Sequence, residues 1–477
     1  MDKKRMDAKM IGLENDIVKL SEYKQSWIEY FEKEKKLLRE KIGYQVKIEH
    51  IGSTSVPGMI AKPIIDILIG IKSLDEIGNY IEPMNELGYE YKGEAGVPGR
   101  HFFRKGNGKV STHHVHFVKY KSDNWNRHLK FRNLLRTNEL VSRKYYELKK
   151  RLADTFSENR PLYTDSKSNF ITIALRCPNN IITVLDELKS CTICPRNCEI
   201  DRWFQKGYCK SGVNVKINLW QKHFGEEPIL SGSRGSGTIF FSNCNLGCVF
   251  CQNYQISQLG WGKEYSIGEL ADIMLELQES EAHNINLVSP THYALQIREA
   301  IILAREKGLK IPIVWNSNAY EKVETLSQLS GLVDIYLPDF KYFSDVSARK
   351  YSDAENYPEI AKKAIKEMFR QVGHLQIDKN GIAVKGLLIR LLVLPENKNQ
   401  TENILRWIAE TLGKETYISL MSQYYPTYRA SEFPEINRSL TPAEYQETVE
   451  ILETLGFENG FVQELEITPE WTPRFKK

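Results

Sequence analysis

The sequence predicts an α/β protein in two modules: an N-terminal α+β unit, then a longer unit in which strands and helices alternate. Three observations predict it. From residue 237 to 421, short apolar strands alternate with amphipathic helices, the pattern of a parallel sheet with right-handed crossovers. The charge is divided: residues 1–178 hold 33 Lys and Arg against 23 Asp and Glu, leaving 32 against 38 for the rest. The cysteines are divided too. None of the eight precedes Cys177, and seven fall between Cys191 and Cys251.

A chain of 477 residues is long enough for two or three domains. With 41% hydrophobic and 26% charged residues, it is neither disordered nor collagen-like. No apolar run reaches the roughly 20 residues needed to span a bilayer. The opening MDKKRMDAKM has no apolar segment behind it, so no secretory signal is expected and a cytoplasmic location is. In that setting, thiols gathered into a short stretch point to metal or iron–sulfur ligation, not to a disulfide framework.

In the N-terminal module, residues 12–40 carry helical periodicity through Ile17, Leu20, Trp27, Phe31 and Leu38. Residues 46–51 alternate as a strand and run into Gly52-Ser53-Thr54-Ser55. Residues 63–70 form an almost wholly apolar strand, hence a central one. Asp66 inside it is costly to bury alone, so it faces a cleft, a cation or a ligand, or pairs with Lys62 or His50. A strand over 113–118 sets His114 and His116 on one face. Residues 131–152 read as one basic amphipathic helix, within a stretch (101–150) holding 13 basic and 3 acidic side chains.

The run from His50 to Gly58, then Ala61-Lys62-Pro63-Ile64-Ile65-Asp66-Ile67, with Phe131 to Arg136 and Tyr163 to Lys167, resembles the GrpB family over about residues 11–176. The resemblance implies a nucleotidyltransferase-like fold. Gly52 and Ser53 would cradle phosphates, since backbone N–H groups in a tight turn bind anions, with Lys62 and Asp66 beside them. Nucleotidyltransferases use two carboxylates to hold Mg²⁺. The second position here is Leu68, which favours binding of a nucleotide-like ligand or RNA over group transfer.

Residues 177–190 make a short connection with no Gly/Ser-rich linker. Cys191, Cys194, Cys198 and Cys209 follow, a set suited to Zn²⁺ or an iron–sulfur cluster. A strand over 237–242 then leads into Cys244, Cys248 and Cys251. Three cysteines spaced by three and two residues on a loop suit a [4Fe–4S] cluster with one iron free of protein thiolate, and such an iron can chelate a small molecule. Polar clusters follow the later strands: Ser289-Pro290-Thr291-His292, Asn316-Ser317-Asn318, and Asp339-Phe340-Lys341. In parallel β/α barrels the strand ends build the reaction site.

From about residue 191 to 465 the chain resembles radical S-adenosylmethionine (SAM) proteins of the pyruvate formate-lyase activating enzyme-like group. The matching runs are 191–198, 231–241, Cys251-Gln252-Asn253, 289–293, 316–321, 336–342 and 420–424. The resemblance implies a partial (β/α)₆ barrel that reductively cleaves SAM to methionine and a 5′-deoxyadenosyl radical. It also implies SAM contacts from Ser289, Thr291, His292, Asn316, Asn318, Asp339 and Lys341, and an electron donor such as a flavodoxin or ferredoxin. The usual Gly-Gly-Glu segment is absent, and residues 289–292 stand in its place. The expected organisation is 1–178, a cysteine-rich segment 179–236, and a core 237–477. The substrate, a small molecule or a protein, stays open. Two rivals remain: a glycyl-radical activase, and an iron–sulfur electron carrier without SAM turnover.

Overall fold

The computed structural model describes residues 11–176, 187–465 and 473–477. The charged opening, Cys177 and most of the connection read at 177–190 lie outside the described residues. Two compact units divide at Met1–Thr183 and Val184–Lys477.

The first unit is a mixed sheet with helices against it. Its strands are β1 (Leu13–Glu14), β2 (Lys47–Ile51), β3 (Ile65–Ile71), β4 (Tyr89–Tyr91), β5 (Arg100–Gly106) and β6 (Val110–Lys119), in the order β2-β3-β6-β5-β4 with β1 on β6. β3 and β6 run parallel, with Asp66 opposite His114. Alternation along β3 decides the two faces. Ile65, Ile67 and Ile69 are buried against Trp27, Phe31 and Leu38 of helix Ser26–Ile42. Asp66 and Leu68 share the other face, where Leu68 is sealed among Ile51, Val118 and Trp125.

Two expectations fail here for identifiable reasons. The helix expected over 12–40 begins only at Ser26, because Leu13 pairs with Ser111 and Ser21 bridges to Ala61. Tertiary strand pairing overrides local periodicity. The single helix expected over 131–152 is two, Asp123–Thr137 and Glu139–Thr155. Between them Asn138 leaves helical geometry (φ −117°, ψ 100°), and its side chain caps the second helix by accepting from the Val141 N–H at 3.0 Å.

The second unit contains β7 (Val215–His223), β8 (Ser236–Phe241), β9 (Lys263–Tyr265), β10 (Ile285–Val288), β11 (Ile313–Ser317), β12 (Ile335–Pro338), β13 (Gln376–Ile377), β14 (Ala383–Leu392), β15 (Tyr417–Met421) and β16 (Gly460–Val462). The sheet order is β16-β15-β14-β12-β11-β10-β8-β7-β9. Along that order every pair from β8 to β16 is parallel, β13 lies off it antiparallel to β14, and β7 and β9 close one edge antiparallel. This is the partial barrel expected, with β/α units such as β10 followed by helix Ala294–Glu306.

All six residues of β8 are buried, as are all five of β11, as expected of central strands covered on both faces. Helix Tyr357–Val372 buries Ala361, Ala364, Ile365 and Met368, a stripe at three- and four-residue spacing. Val288 lies opposite both Phe240 and Asn316, so the C-terminal ends of β8, β10 and β11 align and their loops leave from one rim. Among the described residues no helix is long and apolar enough to cross a membrane.

Candidate functional site

At that rim a cavity of about 210 Å³ is lined by Cys244, Cys248 and Cys251 and by Ser289, Asn316, Asn318, Asp339 and Lys341. Residues from four separate sequence clusters therefore meet at one place. Each cysteine sulfur has a hydrogen-bonding group against it. Asn318 Nδ2 donates to Cys244 Sγ at 3.5 Å, as does the Leu246 N–H at 3.4 Å. The Ser352 hydroxyl donates to Cys248 Sγ at 2.9 Å, with the Tyr342 hydroxyl 2.7 Å from the same serine oxygen. Ser257 Oγ lies 3.1 Å from Cys251 Sγ. Donors aimed at sulfur suit thiolates bound to iron, whose charge they stabilise. Burial pushes the Cys244 thiol up to about 12 and Cys251 up to about 11. Both are protonated as free thiols, and binding iron must displace those protons.

Opposite the cysteines stands a set of charges. Arg390, inside β14, donates from Nε to Asp339 Oδ1 at 2.8 Å, from Nη1 to Glu226 Oε2 at 3.2 Å and from Nη2 to Asn316 Oδ1 at 2.6 Å. Lys341 Nζ donates to Asp339 Oδ2 at 2.8 Å. Burial alone would raise the Asp339 carboxyl, but Arg390 and Lys341 overcome it and hold the group ionised. Glu226 goes the other way. Its burial, with Glu227 and Asp339 near, outweighs Arg390 and raises it. Sequence reasoning missed both Arg390 and Glu226. A signal for Arg390 existed, since it is the one charge in an otherwise apolar strand at residues 386–394; Glu226 had none.

The structure separates the cluster read at 289–292. Ser289, at φ 58°, is on the cavity wall, whereas Thr291 and His292 lie outside it. His292 hydrogen-bonds through Nε2 to the Ser242 carbonyl at 3.1 Å, its own carbonyl accepts from Arg202 Nη1 at 2.5 Å, and burial drives its imidazole down to about 3. The 3₁₀ turn Thr291–Tyr293 rotates these side chains away from the rim. His292 instead faces a second, very small cavity of about 10 Å³ that Cys191, Cys194, Cys198 and Cys209 all line. Their segment is pinned to the barrel. Lys322 Nζ donates to the Thr192 carbonyl at 3.2 Å, the Thr325 hydroxyl to the Ile193 carbonyl at 2.7 Å, and Arg196 Nε to the Asn245 carbonyl, next to Cys244, at 2.9 Å. At neither cysteine group, among the described residues, do three side chains already stand at the spacing of a closed metal shell.

The N-terminal unit has its own cavity of about 610 Å³, and Gly52, Ser53, Lys62 and Asp66 all line it. Gly52, at φ 69°, presses its backbone onto the Asp66 carboxylate, where an added Cβ would collide. Asp66 Oδ1 lies 3.3 Å from His114 Nδ1. Burial would raise this carboxyl, but the hydrogen bond to His114 and the charges of His114, His116 and Lys62 hold it well below the usual carboxylate range.

Comparison with known proteins places each unit beside a family. A family profile described as "GrpB protein" matches residues 17–176, and one described as "Radical SAM superfamily" matches residues 238–408. The uncharacterized protein MJ0674 of Methanocaldococcus jannaschii is 33% identical over 332 residues, covering 67% of this chain and 88% of its own length. Glutamate-rich protein GrpB of Alkalihalophilus pseudofirmus is 39% identical over 167 residues, covering 34% of this chain and 96% of its own. A crystal structure of conserved protein GrpB from Enterococcus faecalis shares 39% identity, with a TM-score of 0.31 over 33% of this chain and 95% of that one. The chain belongs to the GrpB family through its N-terminal unit, and its C-terminal unit contains a radical SAM domain over residues 238–408. It is an enzyme of the radical SAM class.

Proposed function

We propose that Cys244, Cys248 and Cys251 hold a [4Fe–4S] cluster whose fourth iron binds SAM, and that the chain uses SAM cleavage to act on a substrate not yet identified. When bound, the cluster supplies the electron that splits SAM into methionine and a 5′-deoxyadenosyl radical. The observation that carries the reading is the rim cavity, where three cysteines with a hydrogen-bonding group at each sulfur meet a cation–carboxylate set. The methionine end of SAM carries an amine and a carboxylate. Asp339 suits the amine and Lys341 the carboxylate, with Ser289, Asn316 and Asn318 as polar neighbours.

We assign Cys191, Cys194, Cys198 and Cys209, four thiols that line one small cavity, to a zinc ion, which closed four-thiolate sites commonly hold. The electron reaches the first cluster from a flavodoxin- or ferredoxin-like donor, in a cytoplasm that keeps these thiols reduced. The N-terminal unit holds an anionic ligand at its cavity, a nucleotide-like molecule or RNA, and Leu68 leaves it without the second carboxylate of a Mg²⁺ site.

Anaerobic reconstitution with iron, sulfide, dithionite and SAM tests the reading. The expected product is 5′-deoxyadenosine, formed faster when the right metabolite is present. A reconstituted cluster that passes electrons and yields no 5′-deoxyadenosine would make the chain a carrier. A stable glycyl EPR signal raised in a second protein would make it an activase.

A further inference from the structure

We propose that the N-terminal cavity binds a nucleotide-sized molecule carrying several phosphate charges, and binds it directly, through the lysines and an arginine that line it in place of a divalent cation. This rests on the reading of that unit as the holder of an anionic ligand and names the ligand's class.

Seven basic side chains line the cavity against two carboxylates, Asp16 and Asp66. Arg104 and Arg132 are already engaged, with Glu90 at 2.9 Å and Glu49 at 2.8 Å, and Arg100 donates to the Glu94 and Ala95 carbonyls. Four others are close enough to repel one another. Lys62 Nζ and Lys167 Nζ lie over the same ring, Tyr163, at 5.4 and 4.0 Å from its centroid. Lys149 donates to the Ile60 carbonyl. Arg160 donates to the Asn15 carbonyl at 2.7 Å and lies 3.3 Å from His114 Nε2. The one carboxylate that relieves all four is Asp66, itself against His114.

Like charges are expensive to gather out of water, and a protein that does so holds a standing demand for anions. Burial and mutual repulsion show the cost: Lys62 is pushed down to about 8 and Lys149 to about 7. A multiply charged anion would relieve this repulsion directly. Several features then select phosphate and small size. The cations line the inside of a cavity of about 610 Å³, a volume usual for nucleotide-sized ligands, and not an open face that RNA would track. The Gly52–Ser55 turn offers backbone N–H groups beside Asp66, as anion-binding turns do. Phe102, Phe131 and Tyr145 supply an apolar wall for the remainder of such a molecule.

For a divalent cation the place is poorer. Asp66 is the single acid on its face of β3, Leu68 fills the neighbouring position, and among the described residues no three His, Cys, Asp or Glu side chains stand at metal-binding spacing, although His114, His116, His128 and Asp16 line the same cavity.

Titration calorimetry on the full-length protein at pH 7 tests this with inorganic triphosphate and ATP as probes, each with EDTA or with Mg²⁺. Binding is expected in EDTA and undiminished by it. Lys62→Gln and Lys167→Gln are each expected to weaken it roughly tenfold, the loss of one charge-assisted hydrogen bond. Each lysine meets Asp66 only through space and is repelled by the other cations around it, so the thermal midpoint should hold or rise, which separates lost binding from lost folding. Triphosphate and ATP binding alike would assign recognition to the phosphates; ATP binding alone would add the apolar wall. Binding only with Mg²⁺, or binding of citrate or an RNA oligonucleotide in preference to both probes, would overturn the proposal and leave an anion-binding unit. No heat from any of these anions would overturn both.

Discussion

Replacing Cys244, Cys248 and Cys251 together by alanine is expected to remove all the iron of the SAM-binding cluster and its visible absorption, and to leave the protein folded. The thiols sit on a loop after β8, and their hydrogen-bond partners Asn318, Ser352 and Ser257 belong to other segments that the substitutions leave intact. Metal analysis should still find about one equivalent of zinc in this variant, held by Cys191, Cys194, Cys198 and Cys209. Two outcomes would count against the account. A triple variant that still assembles a four-iron cluster would place that cluster elsewhere, and a folded but wholly metal-free variant would remove the second site.

Arg390→Met is expected to have the largest effect on stability. Arg390 joins Asp339, Glu226 and Asn316, and its side chain is only 16% exposed. Methionine fills much of the volume and leaves Glu226 without its cation. Breaking such a pair from one side costs about 3 kcal/mol or more, read as a lower urea midpoint with the slope unchanged. The pH dependence has a definite sign. Burial already raises Glu226 above its ordinary value, and losing Arg390 raises it further. A carboxyl raised in the fold contributes stability below its unfolded value, and that contribution is lost as pH rises through the folded one. The deficit of the variant should therefore narrow between about pH 8 and about pH 5. A deficit that widened on acidification would mean that Glu226 is not the group left unpaired.

The main elements were legible because their signals are local. Largely apolar runs at β8, β10 and β14 and the stripe of helix Tyr357–Val372 follow from burial, and the cysteine spacing is a property of one loop. What sequence could not resolve was set by contacts between distant segments. Strand pairing of Leu13 with β6 shortened the first helix, and the cap made by Asn138 divided another. His292 shares a sequence cluster with Ser289, yet one 3₁₀ turn carries it to the other cysteine group. Arg390 and Glu226 are 164 residues apart and acquire meaning only when β14 meets the segment before β8.

The central claim is that an iron of the Cys244/Cys248/Cys251 cluster is open and receives SAM. Electron–nuclear double resonance on the reduced, reconstituted protein, with SAM isotopically labelled at its amine and carboxylate, measures this directly. The account predicts hyperfine coupling from both labelled groups to the cluster, lost in the triple cysteine variant. A reduced cluster whose spectrum is the same with and without labelled SAM would contradict it.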